Sequence, residues 1–269
     1  MFKEPIYKKL TVVVAALALL CLILTVVLIA VPAGEPSAPD SGDANKETPP
    51  KVENATLGET DDMGQSYLKK IVFLGDSNTA HLASRHYTKI AGMVDSSQIW
   101  TGDGDTLALS MSIDRTTIID PEDDSASSLP ALAAKYKPEY MVITVGYNSR
   151  NMDDEGFIRS YKKMVNAIKE NSPSTKIILQ SIFPVLAGDN VPDADSANAR
   201  LNTLNGYILD IAEELGVKYL DTQSVLKDEN GHLKAGYSKT GGFNHSDGYH
   251  LNDVGLLAVL NYIKTHAYN

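Results

Sequence analysis

The sequence predicts an α/β domain built on a parallel sheet, and three observations lead to this fold class. Short apolar runs, typical of buried strands, recur between residues 70 and 221. Segments with apolar side chains at helical spacing lie between them. Polar, glycine-containing segments follow the apolar runs directly. Apolar strands that alternate with helices are typical of a parallel sheet whose two faces are both covered by helices.

Five strands are predicted, each from one short apolar run. They are KIVFLG (70–75), SQIW (97–100), YMVITVG (140–146), KIILQSIF (176–183) and VKYLD (217–221). In a parallel sheet the carboxyl ends of the strands meet at one edge, where the sites of open α/β folds lie. We therefore expect functional side chains just after these runs.

Three helices are predicted around this sheet. Two follow from apolar side chains at helical spacing: Phe157, Ile158, Tyr161, Met164, Val165 and Ile168 in one, and Leu201, Leu204, Ile208, Ile211 and Leu215 in the other. The third runs through VGLLAVLNYIKTH and begins near Asn252–Asp253, where a short amide or acid side chain can cap it.

An apolar run without any charge precedes this domain. As a helix, residues 10–31 would span about 33 Å, which is enough to cross a bilayer core. Three lysines lie within residues 1–9, so the positive-inside rule places that segment in the cytoplasm and the rest of the chain outside. The alternative is a signal peptide cleaved near VPA at 31–33, which would give a secreted protein.

The composition of the remaining chain predicts a linker followed by one domain and excludes several kinds of site and partner. Residues 32–66 are rich in Pro, Ser, Gly and acidic side chains, which predicts a flexible linker, and residues 67–269 form the predicted domain. The only cysteine, Cys21, lies in the apolar run, so the exported part has no disulfide and no thiolate metal site. The net charge of −10 disfavours nucleic acid as a partner, and nothing in the sequence defines an oligomeric state.

Four polar segments are expected to meet at the sheet edge. They are GDSN (75–78), GDGDT (102–106), GYNS (146–149) and DGYHLN (247–252). A serine hydroxyl is a poor nucleophile unless a base removes its proton, and a histidine held by a carboxylate can do so. Ser77 is the candidate nucleophile. Asp247 and His250 are close enough in sequence for one loop or helix turn to present both.

Three groups could stabilise the oxyanion that such an attack produces. The amide of Ser77 is expected at a helix N-terminus, where unpaired N–H groups favour negative charge. A glycine after the second strand can bring its own N–H close, because no side chain blocks the approach. The side-chain amide of Asn148 is the third donor.

In this order and on these elements, the four segments resemble the SGNH (GDSL-type) hydrolases, from about residue 68 to the C-terminus. The resemblance implies a flavodoxin-like, three-layer α/β/α sandwich with a mostly five-stranded parallel sheet, here preceded by one transmembrane helix. It implies that Ser77 is the nucleophile, with His250 and Asp247 as its partners. It places the oxyanion hole on Ser77, Gly104 and Asn148, and Gly102 is the alternative to Gly104.

Two positions depart from the family's pattern. Asn78 stands where that family has its name-giving leucine, and Ser149 stands where the third segment often has aspartate. Neither position is required for bond chemistry. Ser149 is expected to affect how Asn148 is held, and Tyr147 is expected to narrow the pocket.

The predicted function is a membrane-anchored, extracytoplasmic serine esterase that uses a Ser-His-Asp triad and no cofactor or metal. Its location favours the deacetylation of O-acetylated cell-wall or extracellular glycans. A lipase or lysophospholipase-type esterase and a glycan O-acyltransferase would use the same triad and are alternatives. A catalytically silent glycan-binding module is the alternative from a different class.

Histidine could have two other roles in this sequence. His245, Asp247 and His250 could bind a metal, although no further cluster completes a coordination shell. His81 is a second candidate base near Ser77, but it lacks an acid at useful spacing. Asp76 is expected to organise the turn rather than to react.

Overall fold

The computed structural model describes residues 54–112, 116–188, 190–240 and 246–268. The strands in these ranges are β1 (Ile71–Gly75), β2 (Ile99–Trp100), β3 (Thr117–Ile119), β4 (Ala126–Ser128), β5 (Tyr140–Thr144), β6 (Lys176–Gln180), β7 (Lys218–Leu220), β8 (Ser238–Thr240) and β9 (Ser246–Leu251). The helices are α1 (Gly64–Leu68), α2 (Ser77–His81), α3 (Leu129–Tyr136), α4 (Asp154–Asn171), α5 (Ala194–Leu215), α6 (Gln223–Leu226) and α7 (Asp253–Thr265).

Five of the strands form the central sheet, in the order β2-β1-β5-β6-β7, and all neighbours in it are parallel. This confirms the predicted fold class and the five predicted strands. The strand order reverses between β1 and β5, which pair from Ile71↔Tyr140 to Gly75↔Thr144. Ligands of doubly wound folds bind at such a reversal, outside the carboxyl ends of the strands.

The apolar strand side chains enter two cores, one on each face of the sheet. One core holds Leu129 and Leu132 of α3, Phe157 and Val165 of α4, and Leu201 and Ile208 of α5. The other core holds Leu68 of α1, Leu226 of α6, and Leu256 and Val259 of α7. The sheet therefore lies between two layers of helices, as predicted.

The three predicted helices are α4, α5 and α7, and short polar side chains begin each of them. Asp153 accepts a hydrogen bond from the Gly156 amide at 2.8 Å at the start of α4. Asn252 accepts from the amides of Val254 and Gly255 at 2.9 and 3.0 Å at the start of α7. These caps satisfy amides that have no partner inside the helix.

The folded part of the chain begins earlier than predicted. Residues 54–66, assigned to the linker from composition, pack beside β7: the Leu57 amide donates to Tyr219 O at 2.8 Å, and the Tyr219 amide donates to Ala55 O at 2.9 Å. Ala55 and Leu57 are buried. Two backbone hydrogen bonds and two small apolar contacts explain the order of a segment that composition alone describes as polar.

The predicted cytoplasmic segment 1–9, the predicted transmembrane helix 10–31 and most of the predicted linker lie outside the described residues. Within residues 54–268, apart from the gaps given above, no helix is long and apolar enough to span a bilayer.

Candidate active site

A sharp turn at the carboxyl end of β1 presents Ser77. A Cβ on Gly75 would lie 2.0 Å from Thr79 Oγ1 and 2.7 Å from Thr144 O, so no larger residue fits there. Asp76 caps α2 by accepting a hydrogen bond from the Asn78 amide at 3.2 Å. Ser77 is the first residue of that helix and lies at the edge of the sheet where a site was predicted.

Ser77 and its two predicted partners form a continuous chain of contacts. Ser77 Oγ lies 2.7 Å from His250 Nε2, and His250 Nδ1 lies 2.9 Å from Asp247 Oδ2. All three side chains are partly buried, which limits competition from solvent. The arrangement lets a proton pass from the hydroxyl to an imidazole whose other nitrogen is held by a carboxylate.

Asp247 and His250 lie on strand β9, so the expected loop or helix turn is wrong. Residues three apart on a regular strand point to opposite faces. Here Gly248 has φ 86°, a conformation that glycine adopts without strain, and it bends the strand between the two side chains. Asp247 Oδ1 also accepts from the amides of Tyr249 and His250, at 3.1 and 2.9 Å, which fixes the carboxylate under the imidazole.

The candidate oxyanion amide, Asn148, lies in a short 3₁₀ turn after β5. Its Nδ2 donates to Leu107 O at 3.1 Å, so one of its two N–H bonds is committed and the amide plane is fixed. Ser149 is buried, and its Oγ accepts from the Leu109 amide at 2.8 Å. Asn148 and Ser149 thus both bind the loop at 107–109, one as donor and one as acceptor.

The two candidate glycines differ in their surroundings. Gly104 has φ 63° and nothing within 4 Å of where a Cβ would be. A Cβ on Gly102 would lie 2.2 Å from Thr106 O, so its surroundings are already filled by protein. The space around Gly104 is therefore open, whereas that around Gly102 is occupied by backbone atoms.

A groove of about 640 Å³ lies beside these glycines. Its walls combine polar side chains with apolar ones, among them Ile99, Ile119 and Pro121. The polar side chains are those of His81, Ser84, Ser96, Thr101, Asp105 and Asp124. The groove therefore offers hydrogen-bonding groups to a polar substrate beside apolar surface.

His81 contacts the imidazole of His250 but cannot replace it as the base. The centroids of the His81 and His250 rings are 5.1 Å apart. Burial, with a smaller contribution from His250, lowers the pKa of His81 to about 4. A group with so low a pKa is a weak base at neutral pH. His81 Nδ1 is buried and has no hydrogen-bond partner.

The remaining candidates do not form a second site in the part of the chain that the structure describes. His245, one of the three residues weighed as metal ligands, lies outside it. No group of three or more His, Cys, Asp or Glu side chains in the described ranges is placed to hold a metal. Trp100 is fully buried and packs 5.6 Å from the Tyr136 ring, which makes it a core residue rather than a stacking surface.

Asn78 contacts the strand that carries His250. The sequence did not predict this contact. Its Nδ2 donates to Tyr249 O at 3.1 Å, and its Oδ1 accepts from the Leu251 amide at 2.9 Å. The only signal in the sequence was the departure from the expected leucine. Tyr249 itself stacks on Tyr147, with ring centroids 5.8 Å apart.

Asp76 makes the stability of the protein depend on pH. Burial raises the pKa of its carboxyl from 3.8 to about 6, so the folded state holds the proton more tightly than the unfolded chain. Asp76 is protonated and best tolerated below pH 4, and its burial becomes costly as the pH rises through 6. We expect the free energy of unfolding of Asp76→Asn, measured relative to wild type, to be larger at pH 8 than at pH 4 by on the order of 2 kcal/mol. Urea unfolding at both pH values measures this, and an equal gap at the two would contradict it.

A serine at the end of the first strand of a parallel sheet, hydrogen-bonded to a histidine, is the arrangement of an α/β serine hydrolase. The chain belongs to the GDSL-like lipase/acylhydrolase family, whose sequence pattern matches residues 73–256. The predicted resemblance is thereby confirmed. No curated protein matches the chain.

Several solved structures are similar to this one. The lipopolysaccharide acetyltransferase periplasmic domain of Salmonella ser. Paratyphi A is 19% identical, with a TM-score of 0.47 over 72% of this chain and 82% of that one. A GDSL-like lipase from Bacteroides thetaiotaomicron is 17% identical, with a TM-score of 0.43 over 72% and 86%. A carbohydrate acetylesterase from Sinorhizobium meliloti is 17% identical, with a TM-score of 0.42 over 72% and 95%.

Proposed function

We propose that this esterase works through a Ser77–His250–Asp247 triad and removes short acyl groups, acetyl above all, from extracytoplasmic glycans. The observation that carries the triad is the continuous pair of contacts, 2.7 Å from Ser77 to His250 and 2.9 Å from His250 to Asp247. Each bond has the length of a good hydrogen bond.

In the first half of the reaction, Ser77 Oγ attacks the ester carbonyl carbon while its proton moves to His250 Nε2. The carbonyl π electrons become the oxyanion. When the tetrahedral intermediate collapses, the bond to the alcohol oxygen breaks, and that oxygen takes the proton from Nε2. Asp247 stabilises the imidazolium that forms between these two steps.

In the second half, a water molecule takes the place of the alcohol. His250 removes its proton as it attacks the acyl carbon, and the carboxylic acid leaves as Ser77 Oγ regains the proton. No group other than the triad and the oxyanion donors is required for this chemistry.

The oxyanion donors in this proposal are the amides of Ser77 and Gly104 and the side chain of Asn148. The open space at Gly104 and the fixed plane of the Asn148 amide support this assignment. A preorganised donor does not have to reorient as charge develops, which is why each such group has a large effect on rate.

The substrate assignment rests on the groove and on the predicted location. Polar side chains of the groove can bind sugar hydroxyls, and its apolar residues can contact the faces of a sugar ring or a short acyl group. The anchor predicted at residues 10–31 and the polar segment after it would hold the domain outside the membrane, close to envelope glycans.

Hydrolysis rates across acyl chain length test this proposal. The full chain is assayed with p-nitrophenyl esters from acetyl to palmitoyl and with an O-acetylated glycan, from which released acetate is measured. We expect kcat/KM to be highest for acetyl and to fall steeply beyond butyryl. An optimum at long chains would refute the glycan assignment and favour a lipid substrate. Acetyl transfer to an added sugar in place of acetate release would favour the transferase.

A further inference from the structure

We propose that Asn78 is a positioning residue for His250. Its side chain binds the backbone of the residues immediately before and after His250. The inference rests on the proposed roles of Ser77 and His250. It explains why an amide occupies the position after Ser77 in a family that takes its name from a leucine there.

The two halves of the site need such a connection, because different elements carry them. Ser77 follows β1 of the central sheet, whereas His250 lies on β9, which pairs only with β8 among the described strands. The β8–β9 ladder is short and irregular, with Ser238↔Leu251 and Thr240↔Ser246 paired and a register shift between them. The central sheet therefore does not set the distance between nucleophile and base.

The Asn78 amide supplies the missing connection. Its donor bonds Tyr249 O at 3.1 Å and its acceptor bonds the Leu251 amide at 2.9 Å, so the two bonds bracket His250. The side chain thus pairs with β9 as the edge of a neighbouring strand would. Asn78 is itself adjacent to Ser77, and its own amide is bonded to the Asp76 carboxylate at 3.2 Å. The turn at residues 76–78 therefore fixes the positions of both Ser77 and the backbone that carries His250.

Only a carboxamide can make both bonds at this position. Leucine offers neither a donor nor an acceptor. Aspartate keeps the acceptor for the Leu251 amide, but it loses the donor and brings a negative charge close to Tyr249 O. Asparagine is therefore the residue that this geometry selects.

The strand has other contacts that keep it folded without Asn78. The Leu186 amide donates to Gly248 O at 2.7 Å, and the Tyr87 hydroxyl donates to Leu251 O at 3.4 Å. Loss of the Asn78 bonds is therefore expected to misplace the imidazole rather than to unfold β9. Misplacement of a reacting group by about 1 Å can cost on the order of a hundredfold in rate.

The test compares Asn78→Leu and Asn78→Asp with wild type in the full chain. For each we measure kcat and KM for p-nitrophenyl acetate, the rate at which a fluorophosphonate labels Ser77, and the pH profile of kcat/KM. Fluorophosphonate labelling reports the activation of Ser77 whatever the natural ester is. A wrong glycan assignment would therefore leave this test intact.

Asn78→Leu is expected to lower kcat and the labelling rate by about ten- to a hundredfold, with KM changed less than threefold. Asn78→Asp adds a negative charge near His250. The imidazole already faces Asp247 on its own strand, and it faces Asp76 and His81 at the two ends of α2. The new charge is expected to move the acid limb of kcat/KM to higher pH, and the loss of the donor to Tyr249 O is expected to lower kcat and the labelling rate without a matching change in KM.

Gln98→Leu is the matched control, since Gln98 is also a buried carboxamide that bridges two elements. Its Nε2 donates to Leu68 O and Ile71 O at 2.7 and 2.6 Å, at the opposite end of β1 from Ser77. We expect Gln98→Leu to lose stability and to keep wild-type kcat and labelling.

Wild-type kcat and labelling in Asn78→Leu would overturn the inference. So would losses of activity that parallel the losses of thermal stability in Asn78→Leu and Gln98→Leu alike. Should Asn78→Leu not fold, Asn78→Asp decides, because it has lost the donor to Tyr249 O, and wild-type kcat and labelling in that variant would count against a positioning role.

Discussion

Ser77→Ala is expected to lower kcat for ester hydrolysis by on the order of 10⁴- to 10⁶-fold. The hydroxyl is the atom that becomes bonded to the acyl carbon, so no neighbouring group can take its place. His250 could still activate a water molecule, and the oxyanion donors would remain, which leaves a small residual rate. KM should change little, because alanine removes one atom that contributes to bond formation more than to binding.

Steady-state hydrolysis of p-nitrophenyl acetate and fluorophosphonate labelling measure this loss together. Ser97→Ala is the control, because Ser97 is exposed and is not among the residues that line the groove. It should keep wild-type kcat and labelling. Unchanged hydrolysis in Ser77→Ala would show that the ester is cleaved elsewhere and would remove the proposed mechanism.

The central sheet could be predicted because its information is local. The strands β1, β5 and β6 consist mainly of apolar side chains that are buried in the fold. The apolar run therefore indicates the strand without information from distant residues. The caps of α4 and α7 are equally local, since a short side chain and the amide it binds are two or three residues apart. The position of Ser77 follows from these two kinds of signal.

The setting of His250 could not be predicted, because it depends on distant contacts. The strand β9 contains only one fully buried apolar side chain, Leu251, and has no period that would distinguish it from a loop. Asn78 meets this strand across 171 and 173 residues of sequence, and Ser149 meets Leu109 across 40. Sequence alone showed that Asn78 and Ser149 depart from the family's pattern, but not what they contact.

Asp247→Asn is the second change with a large expected effect, on the order of 10⁴-fold in kcat. Asp247 Oδ1 accepts from the amides of Tyr249 and His250, and an asparagine oxygen can take over those two bonds. The group facing His250 Nδ1 would then be NH₂, a donor, in place of the carboxylate oxygen now 2.9 Å away. Nδ1 must then accept, so the ring proton moves to Nε2, which can no longer take the proton of Ser77.

The chain offers a matched control for this change in a second carboxylate–imidazole pair, Asp195 and His232, whose Oδ1 and Nε2 atoms are 2.7 Å apart. Asp195 is exposed and lies on α5, and neither member of the pair touches Ser77 or His250 in the contacts described above. Asp195→Asn should therefore leave kcat unchanged, while Asp247→Asn loses kcat and keeps its folding, since its backbone bonds survive. A kcat within tenfold of wild type in Asp247→Asn would mean that the carboxylate does not set the tautomer.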